Sequence, residues 1–233
     1  MFDNHDFRVM ESSQSRSFMQ RVYGWMALAL VVSATTAYVV ASSPAFVHAL
    51  YGNMLLLLVL MIAQVGLVVY LTAALPRMST GTAVFAYLLY SVLSGLTLSS
   101  VFLVYNMQSV VLTLLVTVGM FAAMAVYGQV TNSDLSSLRD FLFMGIIGLI
   151  IANVVNMFVA STNFNLITAA FGVMIFTLFT AYDVQQIKHV GSQMLASDND
   201  MFKASLFGAL RLYLDFVNLF MYLLRLLGHR RND

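Results

Sequence analysis

The sequence predicts an all-α integral membrane protein, a bundle of seven transmembrane helices with the seventh at its centre. Three observations carry that expectation. Hydrophobic residues make up 61% of the chain and charged residues 9%, with a mean hydropathy of +0.86; soluble domains hold about 25% charged residues. The apolar residues fall in long unbroken runs, each of about 20 residues, which is the length that crosses a bilayer. The last of these runs carries a polar stripe. Gly208, Arg211, Asp215, Asn218, Tyr222 and Arg225 recur at spacings of three and four, which places them on one side of a helix. Charged residues in mid-span cost about 3 kcal/mol each against lipid and normally face a bundle interior. The other six helices are therefore expected to pack around the seventh.

Residues 1–21 form a polar tail of mixed charge, residues 22–228 the membrane domain and residues 229–233 a short C-terminal tail. The first run, Val22 to Ala41, resembles a signal sequence in composition. Six more apolar segments follow it, so it is read as a retained helix. Ser42-Ser43-Pro44 ends it, because proline lacks the backbone donor a continuing helix needs. The second run extends from Met54 to Leu75 and closes at Pro76-Arg77. The third covers Thr82 to Val104 and the fourth Val110 to Tyr127, with Tyr-Asn-Met-Gln between them. A polar loop over 128–140 leads to the fifth, Phe141 to Ala160, and then the sixth, Leu166 to Ile187. A second polar loop over 188–203 precedes the seventh, Ala204 to Leu227. Strands are excluded, since the segments are twice the length a barrel strand needs and do not alternate.

Lysine and arginine set the expected orientation. Arg8, Arg16 and Arg21 of the tail, Arg77, Arg139, and Lys188 with Lys203 all lie on one side of seven crossings. The first, third and fifth loops hold no basic residue. That pattern places the N-terminus in the cytoplasm. Seven crossings then put Arg230-Arg231 outside, against the same rule; the alternative is a re-entrant last segment. Seven crossings are expected.

Composition also removes several functions. A formal charge of +1 leaves no basic face for nucleic acid. The chain has no cysteine, hence no disulfide or thiolate chemistry. His5, His48, His189 and His229 are scattered without metal-ligand spacing. The small residues Gly145, Gly148 and Ala152 in the fifth span permit close helix approach. Ser94, Thr97, Ser99 and Ser100 in the third read as interhelical hydrogen-bond glue. Asn153 and Asn156 suit either glue or a polar lining.

The candidate site is a pair of deep carboxylates. Asp183 lies near the inner end of the sixth helix and Asp215 nearer mid-span on the seventh, with Arg211 between them in depth. The simpler reading is an Arg211–Asp215 salt bridge that only settles its own helix; it leaves Asp183 and Asn218 unexplained. Two close carboxylates in a low dielectric share a proton and titrate together, and an entering cation displaces it. Ca²⁺ takes six to eight oxygens. Asp183 and Asp215, helped by Asn218 and Tyr182, make a weak and passable site rather than a storage site. An Arg211–carboxylate bridge would hold the inner end of the pathway shut and loosen in acid. No enzymatic activity is expected: a carboxylate pair suits hydrolysis, but the glycine-rich turn of intramembrane aspartyl proteolysis is absent after Tyr182-Asp183.

Four segments carry a family resemblance. Phe179-Thr-Ala-Tyr-Asp-Val-Gln-Gln-Ile-Lys188 and Phe207-Gly-Ala-Leu-Arg-Leu-Tyr-Leu-Asp-Phe-Val-Asn-Leu-Phe220 resemble the signature of the transmembrane Bax-inhibitor-motif family, as do Ser94-Gly-Leu-Thr-Leu-Ser99 and Leu224-Arg-Leu-Leu-Gly228. The likeness covers the chain from residue 20 onward, and the bacterial branch is the most similar. It implies a bacterial inner-membrane protein, a central seventh helix and a Ca²⁺ leak gated by pH, with Asp183 and Asp215 as the family's aspartate pair. It further implies no cofactor beyond Ca²⁺ as permeant ion. Arg77 is the nearest match to an arginine that latches one aspartate in some members. Gln64, standing where some members carry an acid, and Arg211 depart from the pattern. The rival function is that of a non-conducting regulator with a membrane-bound protease as its partner.

Overall fold

A computed structural model describes residues 4–193 and 198–231. Residues 1–3 and 232–233 of the two expected tails, and 194–197 of the expected 188–203 loop, lie outside the described residues. The helices run in the order α1 (Asn4–Ser42), α2 (Pro44–Tyr51), α3 (Met54–Ala74), α4 (Thr80–Val104), α5 (Met107–Val130), α6 (Arg139–Val159), α7 (Thr162–Gln193) and α8 (Asp198–Leu227). All but α2 hold a stretch long and apolar enough to cross a membrane, giving seven such helices among the described residues.

The boundaries depart from the sequence expectation in three places: α1 already begins at Asn4 inside the expected tail, and both the first loop and the 188–203 loop are partly helical. The first loop contains α2, because Pro44 sits comfortably at the first turn of a helix and its own missing donor is not needed there. Asn53 then starts α3, its side chain accepting from the backbone N–H of Leu55 and Leu56. The expected 188–203 loop is mostly helical, since α7 continues to Gln193 and α8 resumes at Asp198. At 1.5 Å per residue both helices reach about 45 Å or more, longer than the hydrocarbon layer they would cross.

The chain divides into two compact units. The first comprises residues 1–104 and 190–213, the second residues 105–189 and 214–233. In the first, α1 packs closely on α4. A Cβ at Gly95 would lie 2.6 Å from both the Ser33 carbonyl oxygen and the Thr36 side chain, so the glycine is what lets the backbones meet. Ser33 Oγ, at 2.8 Å, donates to the carbonyl of Ser91 and lies 2.7 Å from Tyr213 Oη. Tyr87 donates to the Trp25 carbonyl at 2.9 Å. The α4 hydroxyls are glue: Ser94 and Thr97 both bond Gln64 of α3, and Ser99 meets Tyr51 Oη at 2.9 Å. Gln64, which replaces an acid by resemblance, is thereby absorbed into helix packing. Ser100 donates to the Thr97 carbonyl of its own helix at 2.9 Å.

In the second unit α5, α6, α7 and the end of α8 come together. Gly145 of α6 abuts Ile175 of α7, at 2.5 Å from the position a Cβ would take. Gly148, expected to share that role, faces open space. Helices α3 and α6 expose broad apolar faces, with Ile62 71%, Met144 71% and Phe158 84% exposed. Such surface suits a helix that faces lipid in a membrane span.

Candidate functional site

The two aspartates lie in the second unit, and both are buried. From Phe179 to Gln185 each residue of α7 is buried, nearly two full turns. Asp183 is 3% exposed within that stretch and Asp215 of α8 is 5% exposed. Helix α8 is the most buried of the seven crossing helices, with 67% of its apolar window enclosed. Its polar stripe does not face one way against an apolar back. Leu210, Tyr213 and Leu224, on the side opposite the stripe, are buried as well.

Close backbone approach packs α5 against α7 at Ala181, two residues before Asp183. A Cβ at Gly128 of α5 would collide with the carbonyl oxygen of Ala181, and the Ala181 Cα lies 3.1 Å from the same point. Gln185, one turn from Ala181, ties this region to the α5–α6 connection. Its Oε1 accepts from Leu135 N at 2.9 Å and its Nε2 donates to the Ser133 carbonyl at 2.8 Å. Lys188 Nζ donates to the Gln129 carbonyl at 2.7 Å. Asp134 starts the short turn Leu135–Leu138 by accepting from Ser136 N, and that N–H holds its carboxyl below the ordinary carboxylate range. Because the folded value is the lower one, this cap is present above the ordinary range and is lost as pH falls through the folded value.

The other expected residues divide. Tyr182 is buried in an aromatic column, its ring edge-on to Phe179 at 6.3 Å, and Phe179 is edge-on to Phe143 at 6.0 Å. Asn218 donates to the Leu214 carbonyl of its own helix at 2.8 Å. Asn153 joins a cluster distinct from the aspartates: it donates to Tyr222 Oη at 3.1 Å and accepts from Arg225 at 2.7 Å. Asn156 caps the end of α6, where Ala160 turns into the left-handed region at φ 51 and Ser161 N bonds Asn156 Oδ1. Arg211 is half-buried on the part of α8 that belongs to the first unit. Arg77 is exposed in the short turn after α3 and forms no ion pair among the described residues.

Sequence reasoning missed the threonines. Thr113 of α5 and Thr177 of α7 carry buried hydroxyl oxygens with no hydrogen-bond partner among the described residues. Nothing in an apolar span marks one threonine from another. It also missed Gln185, whose partners are backbone groups 50 and 52 residues away. No three of His, Asp, Glu or Cys converge to hold a metal among the described residues. The carboxylate set is thus thinner than a resident Ca²⁺ site requires.

The C-terminal segment settles which end α8 reaches. Tyr105 and Arg230 form an isolated antiparallel bridge, Asn106 N donates to the His229 carbonyl at 3.1 Å, and His229 N donates to Ser109 Oγ at 3.1 Å. The tail therefore lies beside the connection between α4 and α5. A single 30-residue helix leads to it, as a full crossing requires and a re-entrant hairpin would not.

Comparison with known sequences agrees with this architecture. The family described as "Inhibitor of apoptosis-promoting Bax1" matches residues 15–232. An Escherichia coli K12 protein named inner membrane protein YbhL is 42% identical over 231 residues, covering 99% of each chain. An uncharacterized protein of Borreliella burgdorferi is 42% identical over 217 residues, covering 93% of each. The Rickettsia prowazekii protein RP147 is 36% identical over 223 residues, covering 93% of this chain and 91% of its own.

Proposed function

Because this chain belongs to the Bax inhibitor family, we propose that it is a multi-pass inner-membrane protein that leaks Ca²⁺ in a pH-sensitive way through Asp183 and Asp215. The observation that carries the reading is the burial of both carboxylates, 3% and 5% exposed, within one unit of a membrane-spanning fold. Intramembrane carboxylates of this kind mark ion and proton pathways. A proton and a Ca²⁺ ion compete for the same oxygens, so acid and cation act on one switch. The hydroxyls of Thr113 and Thr177 supply further hard oxygen atoms in the same unit. Two carboxylates with a few neutral oxygens bind Ca²⁺ weakly, as a conducting site must. The basic residues of the N-terminal segment and of the even-numbered connections put the N-terminus in the cytoplasm and the C-terminal tail across the membrane.

Purified protein in liposomes, with no other protein present, is expected to pass Ca²⁺ down its gradient at a rate that changes with pH. A Ca²⁺-sensitive dye inside the vesicles reads this directly. Vesicles as tight as protein-free controls at every pH would remove the conducting reading and leave that of a regulator acting on a membrane-bound protease.

A further inference from the structure

Arg225 and Arg230 stand at the end of the second unit where the distribution of basic residues leads one to expect none. The connections at that end, at Tyr105-Asn106 and Ala160-Ser161, contain no lysine or arginine. Placing arginines on the non-cytoplasmic side runs against the charge rule, so they call for a local reason. Both line one polar cavity of about 520 Å³, with Tyr105, Asn156, Ser161 and Asn165. No carboxylate is among its lining residues. Arg225 is positioned entirely by neutral groups: it donates to Asn153 Oδ1 at 2.7 Å and lies 5.1 Å from the centre of the Tyr222 ring. These fix the guanidinium without cancelling its charge. Arg230 is anchored by its backbone through the bridge to Tyr105, and its carbonyl accepts from Asn106 Nδ2 at 3.5 Å. Neither arginine pairs with a carboxylate among the described residues.

We propose that this cavity binds a phosphate-bearing anion, taken from an anionic phospholipid headgroup or from phosphate in solution. Two guanidiniums match phosphate oxygens in a bidentate way that other cations do not. The hydroxyl and amide groups of Tyr105, Ser161 and Asn165 complete the donor set, and the space exceeds a bare phosphate by enough for a glycerol. The end of α6 favours the lipid source. Met157 and Phe158, 80% and 84% exposed, lie immediately below the cavity rim at Asn156 and Ala160, where acyl chains would rest. The assignment stands independently of Ca²⁺ conduction.

Two arms separate the sources. In neutral detergent, phosphatidylglycerol is expected to raise the melting temperature and to remain bound in native mass spectra in preference to phosphatidylcholine. Inorganic phosphate, set against chloride at equal ionic strength, tests whether the anion alone suffices. Stabilisation by phosphatidylglycerol only assigns the headgroup; stabilisation by both assigns phosphate chemistry from either source. The deciding variant is Arg230→Gln, since that side chain is exposed and its backbone bridge survives substitution. It should lower retention about tenfold, the effect of losing one charge-assisted contact. Arg225→Lys keeps the charge but loses the fork and should fall between. Equal retention of the two lipids with no response to phosphate, or wild-type retention in Arg230→Gln, would overturn the proposal.

Discussion

Asparagine in place of both Asp183 and Asp215 is expected to give a protein that folds, passes at least about tenfold less Ca²⁺, and shows the same residual flux at every pH. The substitution keeps shape while removing charge and titration. A cation in a low-dielectric span is stabilised chiefly by ionised ligands, and losing one charge-assisted contact removes about 1.5–3 kcal/mol. Neutral amides at both positions leave only hydroxyl, amide and carbonyl oxygens, too weak to replace the hydration of a divalent ion. Folding should persist because no apolar volume is lost and each asparagine amide keeps a hydrogen-bonding oxygen in the place of the carboxylate. The readout is dye-reported influx in liposomes over a pH series, with protein content matched. Undiminished, pH-dependent flux in the double variant would move the pathway elsewhere in the bundle.

Gly128→Ala should destabilise the protein by about 1–3 kcal/mol, the range for forcing extra atoms into a packed site, although alanine is the better helix former by about 1 kcal/mol. The obstacle is main chain. A Cβ there falls on the carbonyl oxygen of Ala181, and backbone cannot rotate aside as a side chain does. Gly119 on the same helix is the internal control, because nothing lies within 4 Å of its Cβ position. Gly119→Ala should therefore be neutral or stabilising by about 0.5–1 kcal/mol. Gly128→Leu should abolish accumulation of folded protein. Thermal unfolding in detergent compares the three, and equal melting temperatures for Gly119→Ala and Gly128→Ala would show that α5 and α7 are not in backbone contact there.

The crossing helices were legible because lipid demands long apolar runs, and those runs need no knowledge of partners. Asp183 and Asp215 were legible for the converse reason: a carboxylate in such a run requires enclosure, and both are enclosed. Spacing alone could not show what encloses them. The stripe on α8 suggested a buried polar face with an apolar back, yet Leu210, Tyr213 and Leu224 opposite it are buried too, while Arg211, Asn218 and Arg225 of the stripe itself are only partly so. Gly145 and Gly148 look alike in sequence, and only Gly145 meets a neighbouring helix. Asn156 carried the same signal as Asn153 but serves as a cap, which depends on the left-handed turn at Ala160, four residues further on. The connections were misjudged where polar composition was taken for loop, since α7 runs on as helix past its apolar part to Gln193.

The central claim is that Ca²⁺ displaces a proton from the Asp183–Asp215 pair. Infrared difference spectroscopy of the purified protein on adding Ca²⁺ tests it most directly, since a protonated carboxyl and a carboxylate absorb at separate frequencies. The expected spectrum loses protonated carboxyl absorption and gains carboxylate absorption, and both changes vanish when Asp183→Asn and Asp215→Asn are combined. No loss of carboxyl absorption on adding Ca²⁺ at any pH, or the same difference spectrum from the double variant, would contradict the account.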